Sequence, residues 1–343
     1  MTQKNSGCLW MLAGFGLCLG FLFVLAVVFI ASSSSMRTVV KPSSPKFEES
    51  VVVDAKAGKD SDAKIALIFL RGVITSSEPG TVGDTMVDDL KIQLEQAALD
   101  EKVRAVVLYV DSPGGEVTAS DSIYNAVKKV RDGGYGPKNK KPIVVYMGSL
   151  AASGGYYVSC GGTWLIANET TLTGSIGVIM QSLNYEHLFD KLGLATITFK
   201  SGQFKDMLSG SRELTQEEKD YVQKMVMETY GKFVGIVARE RKLNEDDLRH
   251  GLADGRVISG KDAKDAKLIN ATGEVEDAYA KAMELGGVKG AEVIRYESPF
   301  RFGKLFRLLG QSEKASVEVN VAKALVPKLE AGRLYFLPSF YAP

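Results

Sequence analysis

Two serines in a run of small residues are the first candidates for chemistry in this chain. Ser149 and Ser153 lie in YMGSLAASGGYY (146–157), where glycine and alanine neighbours let a substrate backbone approach closely. Ser153 opens SGG (153–155), a predicted helix start, whereas Ser149 is predicted to belong to the turn at the end of a strand. A serine hydroxyl attacks a carbonyl only when a general base lies within hydrogen-bond reach. The first question is therefore which residue acts as that base.

Two glycine-rich turns could supply a second part of such a site. DSPGGEV (111–117) follows one apolar run and precedes a predicted helix, and SGG (153–155) does the same after the next run. Backbone N–H groups at a helix start are unpaired and point outward, so two such turns on neighbouring strands can form an oxyanion hole. Ordinary tight strand-to-helix turns have the same pattern, and the motifs alone leave both interpretations open.

The base is harder to find, because the chain has only two histidines. His187 is predicted on an amphipathic helix and His250 at the surface, and no G-x-S-x-G sequence marks an α/β-hydrolase elbow. A lysine in water has a pKa of about 10.4, so only an apolar, mostly dry pocket lets one accept a proton near pH 7. The candidate is Lys205 in KSGQFKD (200–206), although that motif alone is more typical of a solvated loop.

The elements that must position these residues alternate between strands and helices from residue 63 onwards. A capping box of Thr215 and Glu218 opens a long helix that is predicted to run to about Arg241. This alternation predicts an α/β domain with a mostly parallel sheet. The predicted strands are 63–74, 103–111, 142–147, 163–167, 176–180 and 195–199, with a further short strand at Val51–Val53.

Composition excludes several other classes. The 343 residues are 45% hydrophobic and carry a formal net charge of +1, so no overall field attracts nucleic acid. The three cysteines, Cys8, Cys18 and Cys160, form no disulfide framework, and Cys160 is predicted to be a small core residue. No Cys/His grouping has metal-ligand spacing, so we predict no metal site and no cofactor.

The N-terminus contains a candidate membrane anchor. Residues 8–31 are 24 uncharged, mostly apolar residues, which as a helix span about 36 Å and exceed a bilayer core of about 30 Å. A cleaved signal peptide is the alternative, but its apolar core is usually shorter, about 7–15 residues. Residues 32–60, rich in Ser, Pro, Lys and Glu, are predicted to be a tether. The flanking charges leave the orientation open.

Five motifs in a fixed order resemble the bacterial signal peptide peptidase A family. They are VDSPGG (110–115), MGSLAASGGYY (147–157), TGSIGV (173–178), SGQFKD (201–206) and ADGRV (253–257). The resemblance covers residues 63 to about 298 and implies a Clp protease/crotonase-like superhelix of ββα units. It implies Ser153 as nucleophile, Lys205 as general base and Ser175 as the serine that orients the lysine. The implied oxyanion donors are the backbone N–H groups of Gly115 and Gly154.

The resemblance also implies a biological setting. The expected substrates are remnant signal peptides and other short hydrophobic peptides, cut on the exocytoplasmic side of the bacterial cytoplasmic membrane. Members with one set of motifs are expected to form homo-oligomeric rings, in which Ser153 meets Lys205 of a neighbouring subunit. A crotonase-type acyl-CoA enzyme and a non-catalytic membrane scaffold are the alternatives.

The predicted organisation has five parts, and the last one includes an apolar tail. RLYFLPSFYAP (333–343) contains Leu, Phe and Tyr close to the chain end, and we hypothesise that it can occupy the protease's own cleft. FRFGKLFRLLG (300–310) is basic and apolar and is expected to pack on a neighbouring subunit or on a membrane surface. The parts are a cytoplasmic N-terminus (1–7), the anchor (8–31), the tether (32–60), the peptidase domain (61–298) and a C-terminal amphipathic segment with the tail (299–343).

Overall fold

The computed structural model describes residues 47–54, 62–76, 85–298 and 334–338. The chain divides into two compact units, 1–45 and 46–343, and every described residue belongs to the second. The predicted anchor at 8–31 and the segment at 300–310 lie outside the described residues. Within the described ranges, no helix combines the length and the apolar character needed to cross a bilayer.

The described strands and helices follow one another in the alternating order that the sequence predicts. The strands are β1 (Glu48–Val53), β2 (Lys64–Arg71), β3 (Val103–Ser112), β4 (Gly115–Glu116), β5 (Ile143–Ala152), β6 (Trp164–Ala167), β7 (Leu172–Gly174), β8 (Val257–Ser259), β9 (Ala271–Thr272), β10 (Glu292–Glu297) and β11 (Tyr335–Phe336). The helices are α1 (Met86–Leu99), α2 (Val117–Asp132), α3 (Gly154–Ser159), α4 (Glu186–Lys191), α5 (Gln216–Arg241), α6 (Glu245–Arg249), α7 (Gly260–Asp265) and α8 (Val275–Gly286). Short 3-10 turns lie at Pro137–Asn139 and Gln203–Asp206.

A mostly parallel sheet forms the centre of the fold, with strand order β1-β10-β2-β3-β5-β6-β9. The pairs from β10 through β9 are parallel, and β1 adds an antiparallel edge to β10. β7 pairs in parallel with the end of β5, beyond the point where β6 stops. The α/β class with a mostly parallel sheet is therefore confirmed.

Helices cover both faces of this sheet, which explains the nearly continuous apolar runs in β2, β3 and β5. Along β3, Val106 and Leu108 face the layer that contains α1, α2, α3 and α5. The alternate residues Ala105 and Val107 pack with Ala278 of α8 on the other face. Because successive side chains of a strand point to opposite faces, both faces of β3 are buried. The ends of β3 and β5 are thereby held rigidly where the glycine turns follow.

The N-terminal edge strand extends the sheet further than the sequence predicts. The short strand expected at Val51–Val53 is present, but it begins at Glu48 and pairs antiparallel with β10. Lys64 Nζ donates to Glu49 Oε2 at 2.6 Å and to Asp100 Oδ2 at 3.2 Å, which ties this edge to the body. Residues 48–53 therefore belong to the sheet.

Two predicted strands are wrong. Residues 195–199 form no strand and are exposed, with Phe199 94% and Ile197 79% accessible. Residues 176–180 form only a single antiparallel bridge, between Ile179 and Tyr335. A β-branched or aromatic run favours a strand only where a partner strand covers it, and a local pattern does not report that partner.

Candidate active site

Ser153 lies at the junction of β5 and α3, in a strained backbone conformation. Its φ is 52° and its ψ is −114°, outside the regions that a residue with a side chain ordinarily adopts. Its N–H donates to the Gly174 carbonyl at 2.8 Å, and its carbonyl accepts from Tyr157 N–H at 2.8 Å. Hydrogen bonds to the end of β7 and to α3 thus hold the residue in this conformation. Such strain is concentrated at functional sites.

The Ser153 hydroxyl is buried and unpaired. The residue is 1% exposed, and its Oγ has no hydrogen-bond partner among the described residues. Buried polar groups are nearly always paired, so an orphaned hydroxyl calls for a specific reason. Ser149, the other serine of the motif, is exposed within β5 rather than in a turn. The structure therefore distinguishes the two serines clearly.

The two glycine turns stand in direct contact. A Cβ added to Gly154 would lie 3.0 Å from Gly114 Cα and 3.1 Å from Gly115 N. A Cβ added to Gly114 would lie 2.5 Å from Gly154 N and 2.0 Å from the Phe336 carbonyl oxygen. No side chain fits at either position. The absence of side chains lets the backbones of Gly115 and Gly154, the two predicted oxyanion donors, come together beside Ser153.

Ser175 is brought next to Ser153 by strand register. β5 and β7 are parallel with Ala152 opposite Gly174, so the residues that follow each strand are also neighbours. Ser175 is 3% exposed, has a φ of 52°, and its N–H donates to the Arg256 carbonyl at 2.8 Å. The pairing of β7 with β8 thus fixes its backbone. The structure places Ser153, Ser175, Gly115 and Gly154 together.

Lys205 is not brought to this group within one chain. It lies in the exposed 3-10 turn Gln203–Asp206, and its side chain makes no hydrogen bond or ion pair with any described residue. Neither histidine replaces it: His187 is 80% exposed on α4, and His250 is exposed at the end of α6. Burial raises the pKa of the Cys160 thiol to about 12, so this thiol stays protonated and is no competing nucleophile.

Residues 334–338 lie beside the glycine turns. β11 pairs antiparallel with β4, with Phe336 opposite Gly115, and Val117 N–H donates to the Leu334 carbonyl at 3.2 Å. Hydrogen-bonded pairs alternate along an antiparallel ladder, so Gly115 and Phe336 form the next hydrogen-bonded pair. On its other edge, Tyr335 exchanges two 3.0 Å hydrogen bonds with Ile179. The tail is therefore a strand held between two backbone edges.

The Phe336 side chain fills an aromatic pocket. Its ring stacks on Tyr157 at a centroid distance of 4.9 Å and lies 4.8 Å from the Phe233 ring. Tyr157 is held in place by its hydroxyl, which donates to Asp121 Oδ1 at 2.6 Å. Burial raises the pKa of Tyr157, so the hydroxyl remains a neutral donor. A large apolar side chain thus has a built pocket next to the glycine turns.

Comparisons with known proteins identify the family of this chain. The sequence profile of peptidase family S49 matches residues 137–289, and the Clp protease profile matches residues 64–170. A candidate signal peptide peptidase SppA of Enterococcus faecium is 35% identical over 241 residues, which cover 69% of this chain and 68% of that protein. This chain belongs to peptidase family S49. The Clp protease match also confirms the predicted Clp protease-like fold class.

Two further relatives of this S49 chain set the limits of the comparison. A candidate protease of Methanocaldococcus jannaschii is 40% identical over 203 residues, covering 59% of this chain and 63% of its own length. The chloroplastic serine protease SPPA of Arabidopsis thaliana is 30% identical over 231 residues, which cover 66% of this chain and 33% of that protein. The predicted enzyme class, a serine protease, is confirmed by these matches. The chain spans between a third and about two thirds of these relatives.

Some contributors to the S49 site could not be found from the sequence. Tyr157 was visible in SGGYY and Phe233 on the apolar face of the long helix, but nothing indicated that they meet. The signal would have been the repeated aromatic residues directly after the glycine pair. The tail was predicted only as a possible occupant of the cleft, and its register with β4 was not predictable.

Proposed function

We propose that this S49 chain is a membrane-anchored serine endopeptidase that uses a Ser153/Lys205 dyad on short hydrophobic peptides. In this proposal Ser175 orients the lysine, and the Gly115 and Gly154 amides form the oxyanion hole. The observation that supports it most is the buried, unpaired Ser153 hydroxyl in a strained turn beside those two glycines. A structural serine has no need of that combination.

The proposed reaction has two stages, acylation of Ser153 and hydrolysis of the acyl-enzyme. Neutral Lys205 takes the Ser153 proton as Oγ adds to the substrate carbonyl, and the oxygen of the tetrahedral adduct receives hydrogen bonds from the two glycine amides. The protonated lysine then gives its proton to the leaving amine as the peptide bond breaks, which leaves an acyl-enzyme. Water, deprotonated by the same lysine, attacks this ester and releases the second peptide with Ser153 restored.

We infer that the lysine comes from a neighbouring subunit. The segment that carries it displays apolar side chains that no described residue covers, including Leu183 and Ile197 at 79% and Phe199 at 94% exposure. Exposed apolar clusters of this kind mark interfaces. A homo-oligomeric ring of subunits, each with the predicted superhelix of ββα units, would cover them and bring Lys205 to the next subunit's Ser153.

The way in which β11 is bound supports short hydrophobic peptides as the substrate class. A peptide bound as β11 is bound would lie between β4 and Ile179 with one carbonyl directed at Gly115. Its side chain at the Phe336 position would enter the pocket of Tyr157 and Phe233, which favours large apolar residues. Remnant signal peptides are such substrates. The apolar segment 8–31 would keep the domain at the exocytoplasmic face of the bacterial membrane, where they accumulate.

Mixing two inactive variants tests the proposal. Ser153→Ala and Lys205→Ala are each expected to lose at least about a thousandfold in kcat in the full chain, because each removes half of the dyad. Co-assembly of the two variants is expected to restore part of the activity, since some interfaces then pair an intact Ser153 with an intact Lys205. A fluorogenic apolar peptide provides the rate, and a fluorophosphonate probe reports the reactive serine.

Each outcome separates the alternatives. Mixtures that regain nothing, while each variant assembles normally, would place the dyad within one subunit. An acyl-CoA enzyme of the crotonase type would not be labelled at Ser153 by the fluorophosphonate. For a scaffold, Ser153→Ala would leave peptide cleavage unchanged. Ser159→Ala is the matched control, because Ser159 is a buried serine of α3 whose hydroxyl donates to the Gly155 carbonyl at 2.7 Å.

A further inference from the structure

The loop that carries Lys205 is fixed by four charged side chains, here named the Arg212 cluster: Lys200, Asp206, Arg212 and Glu218. Arg212 Nε and Nη2 donate to Asp206, at 3.0 Å to Oδ2 and 2.7 Å to Oδ1. Arg212 Nη1 and Nη2 donate to Glu218, at 2.9 Å to Oε2 and 2.5 Å to Oε1. One guanidinium thus bridges two carboxylates, each with bidentate geometry.

Glu218 anchors the cluster to the start of α5. Its side chain is 1% exposed, and it also accepts the Thr215 N–H at 2.9 Å in the capping box. The hydrogen bonds from Arg212 are the main cause that lowers the pKa of Glu218 to about 2. The same guanidinium lowers the pKa of Asp206. Both carboxylates therefore remain ionised throughout the pH range in which a peptidase is assayed.

Asp206 places a negative charge of the cluster next to Lys205 in the chain. Asp206 follows Lys205 directly, and both belong to the turn Gln203–Asp206. A carboxylate close to an amine favours the protonated amine, which cannot act as a base. In the cluster, Arg212 and Lys200 balance the charges of Asp206 and Glu218, because Lys200 Nζ also donates to Asp206 Oδ1 at 2.8 Å.

Other titratable groups face the same turn from the segments packed on it. Glu217 of α5 accepts from Gln203 Nε2 at 2.8 Å and adds one negative charge that the cluster does not balance. The Tyr221 ring lies 5.5 Å from the Phe204 ring, and the Tyr185 hydroxyl donates to the Ser209 carbonyl at 2.8 Å. Arg212 thus prevents a larger excess of negative charge around this turn.

We propose that Arg212 is a positioning residue of the peptidase, which holds the turn that presents Lys205 and cancels the negative charge beside it. This inference rests on the proposed role of Lys205 as the general base. A bidentate arginine suits both tasks, since its planar fork fixes geometry and its charge persists at every assay pH. The cluster is thus a link between the start of α5 and the reactivity of the neighbouring subunit's serine.

Arg212→Gln tests the charge in the full-length, assembled protein. We expect kcat to fall about 10- to 100-fold, with KM changed less than about twofold, because the base is misplaced and more often protonated. In the pH profile of kcat/KM, the acid limb is the range in which the rate falls as the base becomes protonated. This acid limb is expected to move up by about one pH unit, since the variant leaves an excess negative charge near the base. Arg212→Lys is expected to return the acid limb to its wild-type position, because it keeps the positive charge. It is expected to restore only part of kcat, because lysine lacks the bidentate fork.

Asp206→Asn is expected to shift the acid limb in the opposite direction, and it tests the proposal even if Arg212→Gln does not fold. Without its carboxylate, the cluster keeps excess positive charge, so the acid limb is expected to move to lower pH. Arg249→Gln is the matched control, since Arg249 pairs with Glu245 on the surface of α6 at 2.6 Å, and it is expected to leave the profile unchanged. A purely structural cluster would lower rates without moving the limb in either direction, and that result overturns the inference.

Different results would contradict the proposed function and the inference about Arg212. Full activity in Lys205→Ala would remove Lys205 as the base and therefore the proposed function itself. If Lys205→Ala is inactive while Arg212→Gln and Asp206→Asn both keep the wild-type acid limb, only the role of Arg212 is lost.

Discussion

At the scale of single residues, Ser153 combines two features that cost folding free energy. Its φ of 52° is unfavourable for a residue with a Cβ, and its buried hydroxyl has no partner among the described residues. Strained backbone conformations cost about 1–3 kcal/mol each. The neighbouring contacts with Gly174 and Tyr157 hold the residue there. The rest of the fold therefore holds Ser153 in a conformation that is locally unfavourable.

This balance predicts that Ser153→Gly stabilises the protein while it abolishes activity. Glycine adopts a positive φ without strain and removes the unpaired hydroxyl, so the free energy of unfolding is expected to rise by about 1–2 kcal/mol. Denaturant unfolding of the full chain measures this change. Ser159→Gly, within α3, is the control and is expected to destabilise by about 1 kcal/mol. A Ser153→Gly variant that is less stable than wild type would contradict the account.

At the scale of elements, the local turns were predictable and the partners were not. The helix start after Ser153 and the Thr215/Glu218 capping box could be located because their signals lie within a few adjacent residues. The strand predicted at 195–199 was wrong because no strand among the described residues pairs with it, and β11 was missed because its partner β4 is more than 200 residues away. The positions of Ser153 and Lys205 could be predicted from motifs, whereas their separation within one chain was implied only by the family resemblance and not by the spacing of the motifs.

The element β11 carries a prediction of its own. Deletion of residues 334–343 is expected to raise kcat/KM for a short apolar peptide by about tenfold or more, because a tethered strand competes at high effective concentration. Deletion of residues 339–343 is the control, since it leaves the strand that pairs with Gly115 and Ile179 intact. Steady-state kinetics at several substrate concentrations measure the effect. Equal kcat/KM values for both deletions and wild type would show that β11 does not compete.

At the scale of the whole molecule, buried and exposed apolar surface are unevenly divided. The sheet and its helices bury residues such as Ile65, Leu108 and Phe233 completely, whereas the segment around Phe199 leaves its large side chains accessible. The first half of α5 is also partly exposed, with Met227 at 47%. The segment around Phe199 and the first half of α5 therefore display large apolar side chains that the described residues of one chain do not cover.

This division predicts that assembly and activity are lost together. Phe199→Asp is expected to raise the dissociation constant of the assembly at least about tenfold, because a charge would enter an apolar contact. Sedimentation and peptidase rates, measured at the same concentrations, are expected to change together while circular dichroism stays constant. Leu99→Asp is the control, since Leu99 is 53% exposed at the end of α1, on a different element. Full activity in a monomeric Phe199→Asp protein would contradict the prediction.

The position of β11 after every other described strand and helix has a consequence for biosynthesis. Residues 334–338 leave the ribosome after every other described residue, so the sheet, both glycine turns and Ser153 can fold before the strand that fills the cleft is available. The glycine turns of a nascent domain are therefore uncovered until residues 334–338 have been synthesised and have left the ribosome. Ribosome-arrested chains that end near residue 333 would keep these turns uncovered by β11.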